Sequence, residues 1–277
     1  MKRIEFIGAP AVGKSTMYRE IDKLRRARDK WITYDEARKK IAENMDIKGI
    51  NLLKLMQICL RYNILKRIQD TFISALLASH EEDIFDKMET KYTDITEGII
   101  NDPSVCNYIT TLKELRLYKH YYDLLFKKVL TPDYFDTKGY ILYDEGLINI
   151  NKVFETKESS RDIFEDKRNY DLDIIPSGVV FCNMEKEKYL QRVKTRIQKG
   201  HGTFIETGLG GDLAVWCGLR LESAKNKAQV LKEYMIPVLE IDMSEPIEEN
   251  AGTVIGYMDG LIKNTGEDKK RIVMKMT

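Results

Sequence analysis

The stretch Gly8-Ala9-Pro10-Ala11-Val12-Gly13-Lys14-Ser15, with Thr16 behind it, constrains this chain more than any other. Two glycines with four residues between them, then a lysine and a hydroxyl, sit between an apolar run (Ile4, Phe6, Ile7) and a helical repeat (Met17, Ile21, Leu24). A chain that wraps at both glycines turns successive backbone N–H groups inward and makes a nest for an anion. A helix starting at once behind the nest adds its unpaired N–H groups and the positive end of its dipole. The spacing therefore predicts a polyphosphate cradle over residues 8–16. Lys14 would reach the β- and γ-phosphates, and the Ser15 hydroxyl would serve a Mg²⁺ ion. A turn with an incidental lysine is the competing reading, and the strand pattern before and the helix pattern after weigh against it.

At 277 residues the chain is one large domain or two small ones, long enough to bury its core without staples. The 45 Lys and Arg nearly cancel the 44 Asp and Glu. That balance argues against a nucleic-acid or membrane-surface binder, which would carry a basic excess. Cys59, Cys106, Cys182 and Cys217 form no C-x-x-C pair, so they read as buried thiols in a reducing compartment. Met1-Lys2-Arg3 runs straight into the first strand pattern, which fits no signal peptide. The apolar run Ile50 to Leu65 is interrupted by Lys54 and Arg61 and is too short to span a bilayer. A soluble cytoplasmic protein is the expectation.

Strand patterns at 2–7, 31–34, 140–143, 179–182 and 238–242 alternate with helical ones. That order predicts an α/β fold, a five-stranded parallel sheet with helices on both faces. Helices are expected at 14–30, 185–199, 213–234 and 247–263, with short helical pieces within 147–176. Between strands 2 and 3, residues 40–131 show only helical spacing: Ile50 to Ile68, Ile84 to Ile99, and Tyr108 to Val129, closed by Pro132. They read as a helical insertion that covers an acceptor site, packs on the sheet, or makes a homodimer. The whole of 1–263 is expected as a single domain, with a loose charged tail at 264–277.

Asp144 ends the third strand, where ligands collect in open α/β sheets, and reads as the second anchor of a Mg²⁺ shell. Glu145 beside it can orient or deprotonate an attacking hydroxyl. Asp35 follows the second strand and is a second candidate base, or else the cap of a helix opening at Glu36. Arg192, Arg196 and Lys199 share one helix face and lead into a glycine-rich loop, 200–211. Arginines on a lid-like segment, 192–212, suit closure over a transferring phosphoryl group, although a solvated basic face has the same pattern. Gly208-Leu209-Gly210-Gly211-Asp212 is a weaker candidate for a second anion nest.

The loop at 8–16, the Asp after the third strand and the Arg-x-x-x-Arg helix after the fourth together resemble the P-loop kinases of small molecules. The layout is most similar to the thymidylate-kinase and deoxynucleoside-kinase group, at both ends of the chain but not in its helical middle. In that group the segment like Val179 to Arg192 leads into an arginine-bearing lid. The segment like Pro237 to Asp242 is the last strand, near the nucleotide base. The resemblance implies ATP and Mg²⁺ as cofactors and a small-molecule phosphate acceptor. Lys14 with Arg192 and Arg196 would act on the phosphates, Ser15 and Asp144 on the metal, and Asp35 or Glu145 as base. Asp144-Glu145-Gly146 stands where those families carry an Asp-Arg acceptor motif, so the acceptor itself is not indicated. The alternative is an ATP-driven regulatory switch acting through a protein partner. A guanine-reading motif is not met: Asn151-Lys152-Val153-Phe154 and Thr90-Lys91-Tyr92-Thr93 both lack its Asp.

Overall fold

The structure is a computed structural model that describes residues 2–26, 29–46, 51–62, 68–87, 112–150, 152–165, 175–201 and 213–276. Its framework is α/β: a five-stranded, all-parallel sheet in the order β2-β3-β1-β4-β5. The strands are β1 (Lys2–Ile7), β2 (Trp31–Thr33), β3 (Tyr140–Tyr143), β4 (Gly178–Asn183) and β5 (Val238–Asp242), all five where the apolar runs predict them. β1 pairs with β4 from Ile4 opposite Gly178 to Ile7 opposite Phe181, and β4 pairs with β5 from Val179 opposite Val238 to Asn183 opposite Asp242. Near-continuous burial along β1, β3 and β4 is what a parallel strand covered on both faces requires.

The chain divides into two compact units, residues 3–31 with 142–277, and residues 1–2 with 32–141. In the first lie α1 (Lys14–Leu24), α6 (Leu147–Ile150), a 3-10 turn (Lys152–Glu155), α7 (Lys157–Glu165), α8 (Lys186–Gln198), α9 (Leu213–Glu233) and α10 (Ile247–Met276). The connection from β1 to β2 and that from β3 to β4 run in opposite directions across the sheet. With right-handed crossovers their helices fall on opposite faces. Accordingly α1 packs with α10, whereas α9 packs with α8, the 3-10 turn, β4 and β5. The core on the α9 side joins Ile7, Val179 and Phe181 of the sheet to Ile148, Phe154, Phe164, Ala228 and Leu231.

In the second unit the described residues between β2 and β3 are helical: α2 (Tyr34–Asn44), α3 (Asn51–Arg61), α4 (Gln69–Ala78), residues 81–87, and α5 (Leu112–Tyr134). α2, α3 and α4 pack around Ala42, Met45, Leu60, Ile73 and Leu76. The amide of buried Gln57 on α3 donates to the Ala42 and Met45 carbonyls, at 3.1 and 2.8 Å, and so satisfies the open end of α2.

Four expectations about boundaries need correction. α1 stops at Leu24 rather than 30, because Arg25 is extended and donates to the Trp31 carbonyl (3.0 Å) while the Asp29 carboxylate accepts the Arg26 N–H (2.6 Å). Those side-chain bonds offer the backbone an alternative to another helical turn. β2 stops at Thr33 because Thr33 caps α2. Pro132 does not close its helix; it lies inside α5, in the last turn, where it forgoes one ladder bond and the helix ends two residues later. The tail from Asn264 continues α10 as helix through Met276; its lysines, Arg271 and methionines are good helix formers. Among the described residues, no helix is long and apolar enough to cross a membrane. Residues 202–211 of the glycine-rich loop 200–211, and 88–99 of the helical stretch Ile84 to Ile99, lie outside the described residues.

Candidate functional site

The Gly8–Thr16 loop leaves the carboxyl end of β1 and enters α1 at Lys14. Three of its residues have positive φ: Gly8 (153°), Ala11 (65°) and Gly13 (115°), the last being the N-cap of α1. A Cβ on Gly8 would stand 2.7 Å from the Cys182 carbonyl oxygen, and one on Gly13 would stand 2.9 Å from the Met243 methyl. Backbone conformation thus favours glycine at both positions on which the motif rests, and at Gly8 the rigid Cys182 carbonyl excludes a Cβ as well.

Lys14 is buried, and its ammonium group donates to the Gly8 and Ala9 carbonyls at 2.7 and 3.1 Å, with the Glu145 carboxylate 4.0 Å away. Burial pulls its pKa below the usual lysine range; the charge of Glu145 is the largest effect acting the other way. Asp144 follows β3 directly, and the Ser15 hydroxyl donates to it across 3.5 Å. The topology thus brings residues 129 positions apart to one point at the carboxyl edge of the sheet. A hydroxyl and a carboxylate are hard oxygen donors of the sort that share a Mg²⁺ ion with phosphates and water. They fit that ion; among the described residues no group of three or more His, Cys, Asp or Glu is placed to hold a metal by itself.

The turn carrying Asp144 and Glu145 is fixed from below. Glu5, fully buried in β1, takes the Ile148 N–H at 3.2 Å and pairs with buried Arg3 at 3.0 Å. Its carboxyl carbon lies 2.0 Å from where a Cβ of Gly146 would be, which explains the glycine in Asp144-Glu145-Gly146. One turn on, the Asn149 side chain accepts the Gly8 N–H (2.9 Å) and donates to Glu145. The Asn149 carbonyl in turn accepts from Lys227 of α9 at 2.7 Å. Lys227 is almost wholly buried, and burial pushes its pKa down to about 8, with Glu155, 4.0 Å away, acting in the opposite sense.

α8 approaches the loop from another side. The Tyr189 hydroxyl donates to the Pro10 carbonyl at 2.6 Å, and Arg192 donates to the Val12 carbonyl at 2.5 Å. Arg196 donates instead to the His201 carbonyl at 2.7 Å, although its charge still presses the Lys14 pKa down. Lys188, Gln191, Arg192, Thr195, Arg196 and Lys199 line an open, basic cleft along this helix.

Lys14, Ser15, Asp144, Glu145 and Arg192 therefore converge as their positions in sequence predict. Asp35 belongs to the other unit, in the first turn of α2, where its carboxylate lies 3.9 Å from Arg38. It is not the helix cap; Thr33 is, its hydroxyl accepting the Glu36 N–H at 3.3 Å. Asn149, Lys227, Tyr189 and the Arg3–Glu5 pair were not expected. The one signal for any of them was Arg3 and Glu5, two charged residues alternating with Ile4 and Phe6 in β1. Compared with models of known protein families the chain matches none, and no curated protein matches its sequence.

Proposed function

We propose that this chain is an ATP-dependent phosphotransferase of the P-loop kinase type, moving the γ-phosphoryl group of ATP to a small-molecule acceptor. One observation carries the reading. A glycine-bounded loop at the end of the central strand opens a helix, and its lysine and serine face an Asp-Glu pair at the end of the neighbouring strand. Ligands of open α/β sheets gather at that edge, where strand connections diverge. In this reading the helices between β2 and β3 are an insertion into a five-stranded nucleotide-binding pattern.

Phosphoryl transfer needs positioning and charge neutralisation more than covalent chemistry. The loop amides would hold the phosphate chain. Lys14 would exchange the Gly8 and Ala9 carbonyls for phosphate oxygens, and its buried ammonium would act with little screening by water. Ser15 and Asp144 would hold Mg²⁺, which when bound supplies further neutralisation of the phosphates. Glu145, 4.0 Å from Lys14, is the carboxylate best placed to take the acceptor's proton; Asp35 is the second candidate. Arg192 and Arg196 would bring positive charge from α8.

Calorimetry with MgATP tests the first step, and Lys14→Ala should abolish the heat while leaving the melting curve cooperative. Incubation with labelled ATP and pooled nucleosides, nucleotides, sugars and aminoglycosides tests the second. Label on a small molecule supports the kinase. Phosphate release that only a protein partner accelerates would replace it with a regulatory NTPase. No binding at millimolar MgATP would overturn both.

A further inference from the structure

The loop is held from outside at alternate residues. Asn149 takes the Gly8 N–H, Tyr189 donates to the Pro10 carbonyl, and Arg192 donates to the Val12 carbonyl. The two α8 donors are three residues apart, one helical turn, so they meet the loop from a single helix face. A trans peptide is planar, and its C=O and N–H point in opposite directions. A Pro10 carbonyl fastened toward α8 therefore aims the Ala11 N–H away from α8. A Val12 carbonyl fastened the same way aims the Gly13 N–H away too. Among the described residues, no hydrogen bond takes up either of these N–H groups.

We infer that Tyr189 is a positioning residue for phosphate recognition: through the Pro10 carbonyl it sets the direction of the Ala11 N–H. Arg192 does the same for the Gly13 N–H through the Val12 carbonyl. This deepens the nucleotide reading and rests on it. Tyr189 suits the task because its ring is fully buried at the base of α8, so the hydroxyl is delivered at 2.6 Å by a side chain with little freedom. Ala11 needs such help, because it is a non-glycine residue held at φ 65° that an unfastened loop would tend to relax. Arg192 has a double part. Besides holding the Val12 carbonyl, its guanidinium lies 3.1 Å from where a Gly13 Cβ would be, so it also presses on the glycine that opens α1.

The test uses Tyr189→Phe, which removes one hydroxyl and keeps the ring. Tyr257→Phe is its control, because the Tyr257 hydroxyl also tethers backbone, donating to the Pro237 carbonyl (2.7 Å) and accepting the Val179 N–H (3.2 Å). Affinity is measured by calorimetry on the full chain for MgATP and for inorganic tripolyphosphate, which carries only the phosphate tail. Y189F should bind both probes roughly tenfold more weakly, by the same factor, as expected for one misdirected hydrogen bond to an anion. Y257F should lower the melting temperature and leave both affinities unchanged. Y189F binding both probes within twofold of wild type would overturn the inference and leave the nucleotide reading standing. Equal weakening in Y189F and Y257F would overturn it as well, by showing a general structural effect. A wild-type chain silent toward both probes would overturn the nucleotide reading, and this inference with it.

Discussion

Gly146→Ala isolates the pedestal beneath the acidic turn. At an unstrained position entering a helix, this substitution ordinarily stabilises by about 0.4–1 kcal/mol, because it restricts the unfolded chain. Here the added methyl would stand 2.0 Å from the Glu5 carboxyl carbon and 2.2 and 2.5 Å from its oxygens, far inside ordinary contact. Glu5 has nowhere to withdraw: it is fully buried in the central strand, with Arg3 at 3.0 Å and the Ile148 N–H at 3.2 Å. Making room for the methyl separates a buried ion pair, a loss of about 3–5 kcal/mol. G146A is therefore expected to be destabilised by that amount, read as a lower urea midpoint at unchanged slope, and to melt on the order of 10 °C below wild type. MgATP affinity should fall too, because Asp144 and Glu145 ride on the displaced turn. The double-mutant cycle is decisive. Glu5→Ala destabilises alone, but adding G146A to it should cost nothing further, because the obstructing carboxylate is gone. A G146A chain within 1 kcal/mol of wild type, or strict additivity with Glu5→Ala, would refute the reasoning.

Lys227 makes stability depend on pH. Its folded pKa of about 8 lies below the ordinary 10.5, so between those values the unfolded chain binds more protons than the folded one. Stability should rise with pH across that window, on the order of 3 kcal/mol in full, while below pH 8 the burial penalty acts undiminished. Lys227→Met should lose that rise, seen by comparing urea midpoints of both chains at pH 7.5 and 10; parallel behaviour would contradict it. Gly8→Ala drives a methyl toward the Cys182 carbonyl and is expected to weaken MgATP binding at least tenfold, measured by calorimetry. Thr33→Ala removes the α2 cap and should lower stability by about 1 kcal/mol in urea titrations, with MgATP affinity untouched.

What could be read from the sequence, and what could not, divides along a physical line. All five strands were legible, because a buried parallel strand is a short apolar run bounded by turn residues. The loop was legible because Gly8 and Gly13 are demanded by backbone geometry that no other residue meets without strain. Ser15 followed from the spacing of that loop, and Asp144 from its place at the end of the third strand. Asn149, Tyr189 and Lys227 were not legible, because each acts by touching one backbone atom that only tertiary packing brings near. The Tyr189 ring fills a buried helix position as any apolar side chain would; only the hydroxyl differs. Glu5 and Arg3 alternate along β1, a pattern that by itself reads as a solvated face, whereas the structure buries them completely. Local competition explains the misplaced boundaries: Arg25 and Asp29 bond to nearby backbone and end α1 where propensity alone would have continued it.

The outer margins of the sheet bear on self-association. By strand order β2 and β5 are the two rims, and β2 is only three residues long. β5 carries Glu240 and Asp242 outward, with Glu240 engaged by Asn183 and facing Lys232 at 3.7 Å. Brevity at one rim and charge at the other make both poor templates for a visiting strand. Both features disfavour growth by strand addition into a continuous sheet, and leave helix surfaces as the better place for a pair of these chains to meet.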